Sequence, residues 1–152
     1  MSKDSGERLA QELCHELFDL SAAVDLIGHA AAGRLGINQT DLICLNFLAR
    51  RGPMSAGELA SAMGLTTAAI SAMATRLEAG GYARREIDAN DRRRVLLHPS
   101  PSGTERAFSL FDGLYQAAVK LHASYGDRDA RLLVDLLTRF RQLLAEHAAD
   151  LR

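Results

Sequence analysis

The chain has 152 residues, 47% hydrophobic and 24% charged, with a net charge of −1 and no tryptophan. That supports one domain, or one core with helical extensions, packed mainly from Leu, Ala, Val, Ile and Met, and it is not the profile of a uniformly basic nucleic-acid binder. Two widely separated cysteines exclude a disulfide framework or a zinc knuckle, and Asp25, His29 and Arg34 interrupt the most apolar N-terminal stretch well short of a membrane span.

Residues 1–6 read as a frayed start, with no apolar leader region behind the polar stretch from Met1 to Glu7, so a reducing cytoplasm is the expected setting. Residues 7–32 follow a helical period. Leu9, Leu13, Leu17, Leu20, Val24, Ile27 and Ala31 form one apolar stripe, while residues 1–32 carry two cations against six acids, a net −4. Gly33 to Gly36 should break this helix. Asn38 can cap the next, with Asp41 in its first turn and Leu42, Leu45, Phe47 and Leu48 as core, until Gly52-Pro53 ends it near Arg51.

The stretch from Ser55 to Leu97 organises the chain. Ser55 and Glu58 form a capping box, and Leu59, Ala60 and Met63 share one face of a short helix. Gly64 stops that helix, Thr66 caps a second, and Ile70, Met73 or Ala74, and Leu77 point inward along it. Two helices joined by a tight glycine-containing turn make a helix-turn-helix, whose second helix can enter a DNA major groove. A two-stranded hairpin follows: Tyr82, Ala83 and Ile87 in one run, Val95 and Leu97 in the next, Asp88 to Asp91 turning between them, and Arg92, Arg93 and Arg94 at the tip. Residues 76–98 carry six arginines against four acids, so positive charge concentrates here. After the hairpin, Ser100-Pro101 starts a helix expected to run to about residue 124, with Ala107, Leu110, Phe111, Leu114, Ala118 and Leu121 on its apolar face. A break at Tyr125-Gly126-Asp127 precedes a leucine-rich helix over about 128–149. Its leucine stripe favours association with a partner surface, and a twofold dimer is the commonest assembly.

Gly57-Glu58-Leu59-Ala60, Ile70-Ser71, Arg76-Leu77-Glu78, Gly81-Tyr82, Arg85, Asp91-Arg92-Arg93 and Gly103 together resemble the MarR family of bacterial transcription regulators, with matching spacing from about Ile37 to Gly103. The fold the resemblance implies is mainly α with a small β-hairpin wing (α+β): a winged helix-turn-helix at residues 37–100, a dimerisation helix at 1–36, and C-terminal dimerisation helices at 101–152. It implies a homodimer on double-stranded DNA, reading a pseudo-palindromic operator as a repressor and released by a small organic effector.

Small side chains occupy the positions that approach base edges: Thr67, Ala68, Ala69, Ser71, Ala72 and Thr75. Family members often carry arginine where Ala72 stands. By resemblance, Arg93 enters the minor groove, Arg92 and Arg94 hold flanking phosphates, and Arg85 and Asp91 brace the wing as an ion pair. Arg76 then binds phosphate or pairs with an acidic wing residue, and the amides after Ser55 and Thr66 lie close to phosphates. Simple helix capping explains Ser55 and Thr66 as well, and the two roles are compatible.

Cys14 lies where the hydroperoxide-sensing branch of the family places its thiol, so an oxidant-sensing regulator is the alternative. Against it, Glu12 and Glu16 raise a thiol pKa, and no tyrosines stand near Gly36 to Leu42, which favours a small helix residue. Cys44 reads as core. The histidines are scattered without a His-x-x-x-His pair, so no metal and no cofactor is expected. No phosphate loop or nucleophile elbow points to an enzyme. A winged-helix protein-interaction module without DNA binding is the remaining rival, disfavoured by three adjacent arginines at the tip.

Overall fold

A computed structural model describes residues 3–151. The elements are α1 (Lys3–Leu35), α2 (Gln39–Arg51), β1 (Met54–Ser55), α3 (Ala56–Met63), α4 (Thr67–Ala79), β2 (Ala83–Ile87), β3 (Val95–Pro99), α5 (Pro101–Phe108), a 3-10 turn (Ser109–Phe111) and α6 (Asp112–Asp150). The chain is therefore mainly α with a small antiparallel sheet, a winged helix-turn-helix. It divides into two compact units, Met1–Leu110 and Phe111–Arg152. Among the described residues no helix is long and apolar enough to cross a membrane.

In the first unit the core gathers from α2, α3, α4 and the sheet: Leu45, Leu48, Leu59, Ile70 and Leu77 are all closed to solvent. Phe47 and Met63 are only half-buried, and the Arg51 guanidinium covers the Phe47 ring at 4.7 Å. The sheet runs β1-β3-β2, with Met54 opposite Leu97 and Arg85 opposite Leu97 on the other side. The third strand, β1, is a correction to the expected two-stranded hairpin. Two residues are too short to show an alternating pattern, and only the ladder to β3 makes them a strand.

Three helix limits also differ from expectation. Residues 1 and 2 of the expected frayed start lie outside the described residues, but the chain is already helical from Lys3. At its other end α1 runs through Gly33 and stops at Leu35. Gly36, at φ 68°, closes it, with the Ile37 amide donating to the Ala32 carbonyl at 3.1 Å and the Gly36 amide to Gly33 at 3.3 Å. The expected helix over 101–124 is interrupted at Ser109–Phe111, where the Ser109 hydroxyl turns back to the Arg106 carbonyl at 3.1 Å. Serine bonding of this kind competes with the helical ladder. Ser100 caps α5 as expected, accepting from the Gly103 amide at 3.3 Å. Gly103 itself is required by close approach, since a Cβ there would sit 2.6 Å from the Tyr82 Cα.

The second unit is α6, bent at Gly126 (φ 78°, ψ 164°), where the sequence expected its break. No residue of α6 is buried, and Leu132, Leu133, Val134, Leu143 and Leu144 are all at least half exposed.

Candidate nucleic-acid interface

The turn between α3 and α4 follows from local chemistry. Glu58 accepts from the Ser55 amide at 2.7 Å and the Ser55 hydroxyl at 2.6 Å, and the Ser55 oxygen accepts the Glu58 amide at 3.3 Å. Those bonds, with Arg94 adding to them, hold the Glu58 carboxyl down at about 2. Gly64 takes the left-handed conformation (φ 67°, ψ 30°), and Thr66 caps α4 through the Ala69 amide at 3.2 Å. With Ile70, Met73, Ala74 and Leu77 buried, Thr67, Ala68, Ala69, Ser71, Ala72, Thr75 and Arg76 are left exposed.

The two helix starts differ electrostatically. The α4 N-terminus has no acid in its first turn, and the Thr66 hydroxyl keeps its proton free while accepting the cap bond. At α3 the Ser55 proton goes to Glu58, whose carboxylate puts negative charge at that helix start. The α4 start is thus the better suited to an anion.

Three of the arginines singled out by sequence are tied down within the protein. Arg76 is not held by a wing acid. Its Nη2 meets Asp41 Oδ1 at 2.6 Å and its Nε meets Oδ2 at 3.0 Å, a bidentate pair in which Asp41 is 1% exposed. Arg85 does not pair with Asp91. It pairs with Glu78, which also accepts the Arg85 amide at 2.8 Å, and it donates to the Ser71 carbonyl at 2.8 Å and the Thr75 hydroxyl at 3.2 Å. Strand β2 is in this way clamped to the middle of α4. Arg94 reaches Glu58 at 3.0 Å and lies 3.9 Å from Asp88, so the wing is tied to the start of α3 as well.

Asp91 instead shapes the tip, accepting the Arg93 amide on its side chain at 3.0 Å and the Arg94 amide on its carbonyl at 2.9 Å. Arg92 and Arg93 are exposed there, and among the described residues neither makes an ion pair. Sequence reasoning missed Asp41, Glu58 and Glu78 as anchors. Their partners lie 35, 36 and 7 residues away in the chain and on other elements, so no local pattern marks these acids as anchors.

The first unit also holds a cleft of about 740 Å³, bounded by Leu35, Ile37, Asp41, Arg76, Tyr82 and Arg106 among others. The Tyr82 hydroxyl donates to the Leu35 carbonyl at 2.9 Å, and Arg106 stacks on the Tyr82 ring at 4.2 Å. The two thiols contrast. Cys14 is exposed, whereas Cys44 is buried, and burial followed by the Asp41 charge pushes its thiol up to about 12. No group of three or more His, Cys, Asp and Glu able to hold a metal occurs among the described residues.

Residues 35–94 match the model of the MarR family. Over 99% of its length the chain is 32% identical to YcgE, an HTH-type transcriptional regulator of Bacillus subtilis (strain 168), covering 96% of that protein. The chain belongs to the MarR family. It is accordingly a transcription regulator of the winged-helix, DNA-binding kind. Among solved structures it is similar to a MarR family protein from Bacillus stearothermophilus, at a TM-score of 0.71 and 19% identity over 91% of this chain and 97% of that one. It is also similar to AbfR of Staphylococcus epidermidis in a structure of the reduced protein bound to DNA, at a TM-score of 0.61 and 20% identity over 94% and 99% of the two chains. These last two likenesses are likenesses of fold.

Proposed function

We propose that this MarR-family protein is a homodimeric repressor that places α4 in the major groove of each half of a pseudo-palindromic operator, with Arg93 of the wing in the adjoining minor groove. The observation that carries the reading is the division among the arginines: Arg76, Arg85 and Arg94 fix the reading helix and the wing, while Arg92 and Arg93 stay free at the tip. Guanidinium groups on an exposed tip suit phosphates and a narrow minor groove. Arg94, held by Glu58, is a wing anchor here and not a phosphate contact. AbfR, a protein of similar fold, has a structure in which it is bound to DNA, which supports the reading.

A second copy is supported by the exposed leucines of α6, and by Leu9, Phe18, Val24 and Leu26 of α1, each of these four more than half exposed in the single chain. Residues 1–36, 37–100 and 101–152 then serve as dimerisation helix, reading head and dimerisation helices. Release by a small organic effector is supported by the cleft, whose volume is in the range of ligand sites and whose wall includes Arg76 of α4.

A mobility shift on DNA from upstream of the chain's own gene tests the reading. Binding should fall steeply and linearly in log affinity against log salt, and Arg93→Ala should weaken it at least tenfold with no loss of thermal stability. Unchanged binding by a folded Arg93→Ala variant removes the wing from the mechanism, and no binding at all favours a protein-interaction module. The exposure of Cys14 keeps oxidant sensing as a second reading. It predicts that peroxide releases DNA from the wild type and not from Cys14→Ser, and equal release from both refutes it.

A further inference from the structure

We propose that α4 selects its half-site through thymine C5 methyl groups, met by Ala68, Ala72 and Thr75, and not through guanine. The inference rests on the reading of α4 as the major-groove helix given above.

Guanine is read best by an arginine fork on O6 and N7. The only cation in α4 is Arg76, and the Nε–Nη2 edge of its guanidinium is spent on buried Asp41, at 3.0 and 2.6 Å, which holds the group against α2. Arg85, the nearest cation from the wing, is spent on Glu78, the Ser71 carbonyl and the Thr75 hydroxyl. Swinging either arginine toward a base would break an existing charge-assisted pair, and for Asp41 would leave a carboxylate buried without its cation.

Thr75 shows what remains to face the groove. Its hydroxyl proton goes to the Ser71 carbonyl at 3.1 Å, and its oxygen accepts from Arg85 at 3.2 Å. With its proton and one of its two lone pairs committed, the hydroxyl has no donor left for a base acceptor, and the methyl is the apolar group Thr75 can offer DNA. Ala68 and Ala72 are exposed on the same helix and offer only methyls. Thr67 and Ser71 keep hydroxyls that can serve either a base or a phosphate. In the major groove, thymine alone of the four bases presents an apolar group, while cytosine in its place presents an amino donor that a methyl cannot satisfy.

The test uses the full chain and duplexes selected from a random-sequence library by repeated binding. Each thymine of the selected half-site is then replaced by deoxyuracil, which deletes only the C5 methyl. Two or three positions should each lose about fourfold in affinity, the worth of one buried methyl. Thr75→Ser, which keeps the hydroxyl and its two bonds, should lose the thymine-over-uracil preference at one of them. Thr75→Val, which keeps a methyl there, should retain it. Indifference of every half-site position to uracil overturns the proposal, as does an invariant guanine whose replacement by 7-deazaguanine costs more than tenfold. Failure to recover any duplex above the non-specific background overturns the DNA-reading function itself, so the two failures are distinct.

Discussion

Leu45, Leu48, Leu59, Ile70 and Leu77 of the winged core are shut off from water, and among the described residues no buried side-chain polar atom lacks a partner. Along α6 no residue is buried, and leucine after leucine faces solvent. Both regions are rich in the same aliphatic residues, so composition does not separate them. Order of connection does. In the core, short elements return on one another every ten residues or so, and each apolar face finds another within the chain. The helical stretch of α6, broken at Gly126, buries none of its residues within the chain, so its apolar stripe must find its cover elsewhere. The polar groups follow the same division. In the core they cross between elements, as Asp41–Arg76, Glu78–Arg85 and Glu58–Arg94, whereas on α6 the pairs Asp127–Arg131 and Asp135–Arg139 lie one turn apart on one exposed helix. Exposed pairs of that kind contribute little to stability.

The sharpest way to break the comparison is at Asp41. Arg76→Ala leaves a carboxylate that is 1% exposed without its cation. It should cost about 3 kcal/mol, a fall in Tm of about 10 °C for a chain of this size. Asp41→Asn with Arg76 retained should cost less, because the stranded guanidinium is half exposed and can rehydrate. Calorimetry on both variants checks the order, and an Arg76→Ala loss no larger than that of a surface pair would place Asp41 among the contacts of the α6 kind.

On the other side of the comparison, Leu133→Asp should leave the fold of each chain intact, because Leu133 is half exposed and packs into no core of its own chain. Its expected cost falls on assembly. A desolvated carboxylate entering the interface from each copy should raise the dimer dissociation constant by about thirtyfold, roughly 2 kcal/mol. Sedimentation over a range of concentrations reads this directly. A variant that stays as associated as the wild type would show that this stretch of α6 is not covered by a second copy.

The same contrast explains what could be read from the sequence. Caps, turns and apolar periods are local, so Ser55, Thr66, Gly64, Ser100 and the inward faces of α3 and α4 were legible residue by residue. Strand β1 was not, because two residues become a strand only through β3. The anchors of the arginines were not legible either. An ion pair between Asp41 and Arg76 spans 35 residues, and no spacing rule within a helix or a hairpin reaches that far. Arg85 shows the difficulty well. The family resemblance implied a pair with Asp91, but Arg85 lies against α4, where Glu78 and the Ser71 carbonyl receive it. Cys44 was legible as core from its apolar neighbours, and its burial is the main cause of its raised thiol pKa; the added push from the Asp41 charge was not legible, because the sequence does not show that the two lie together.

The smallest expected effect lies at the clamp between Glu58 and Arg94. The folded-state pKa of Glu58 is depressed to about 2 by the Ser55 hydroxyl and amide first and by Arg94 after them. A depressed carboxyl pKa contributes stability that is present above the ordinary value of about 4.3 and is lost as the pH falls through the folded one. Glu58→Gln keeps an acceptor for Ser55 and removes only the charge. At pH 7 its Tm should therefore lie slightly below that of the wild type, and the gap should close between pH 4.5 and 2. Salt should narrow the gap at pH 7, since Glu58 is 51% exposed and its pair with Arg94 is screened. A gap that persists unchanged at pH 2 would assign the contribution of this residue to its hydrogen bonds alone, and the wing would then be tied to α3 by something other than charge.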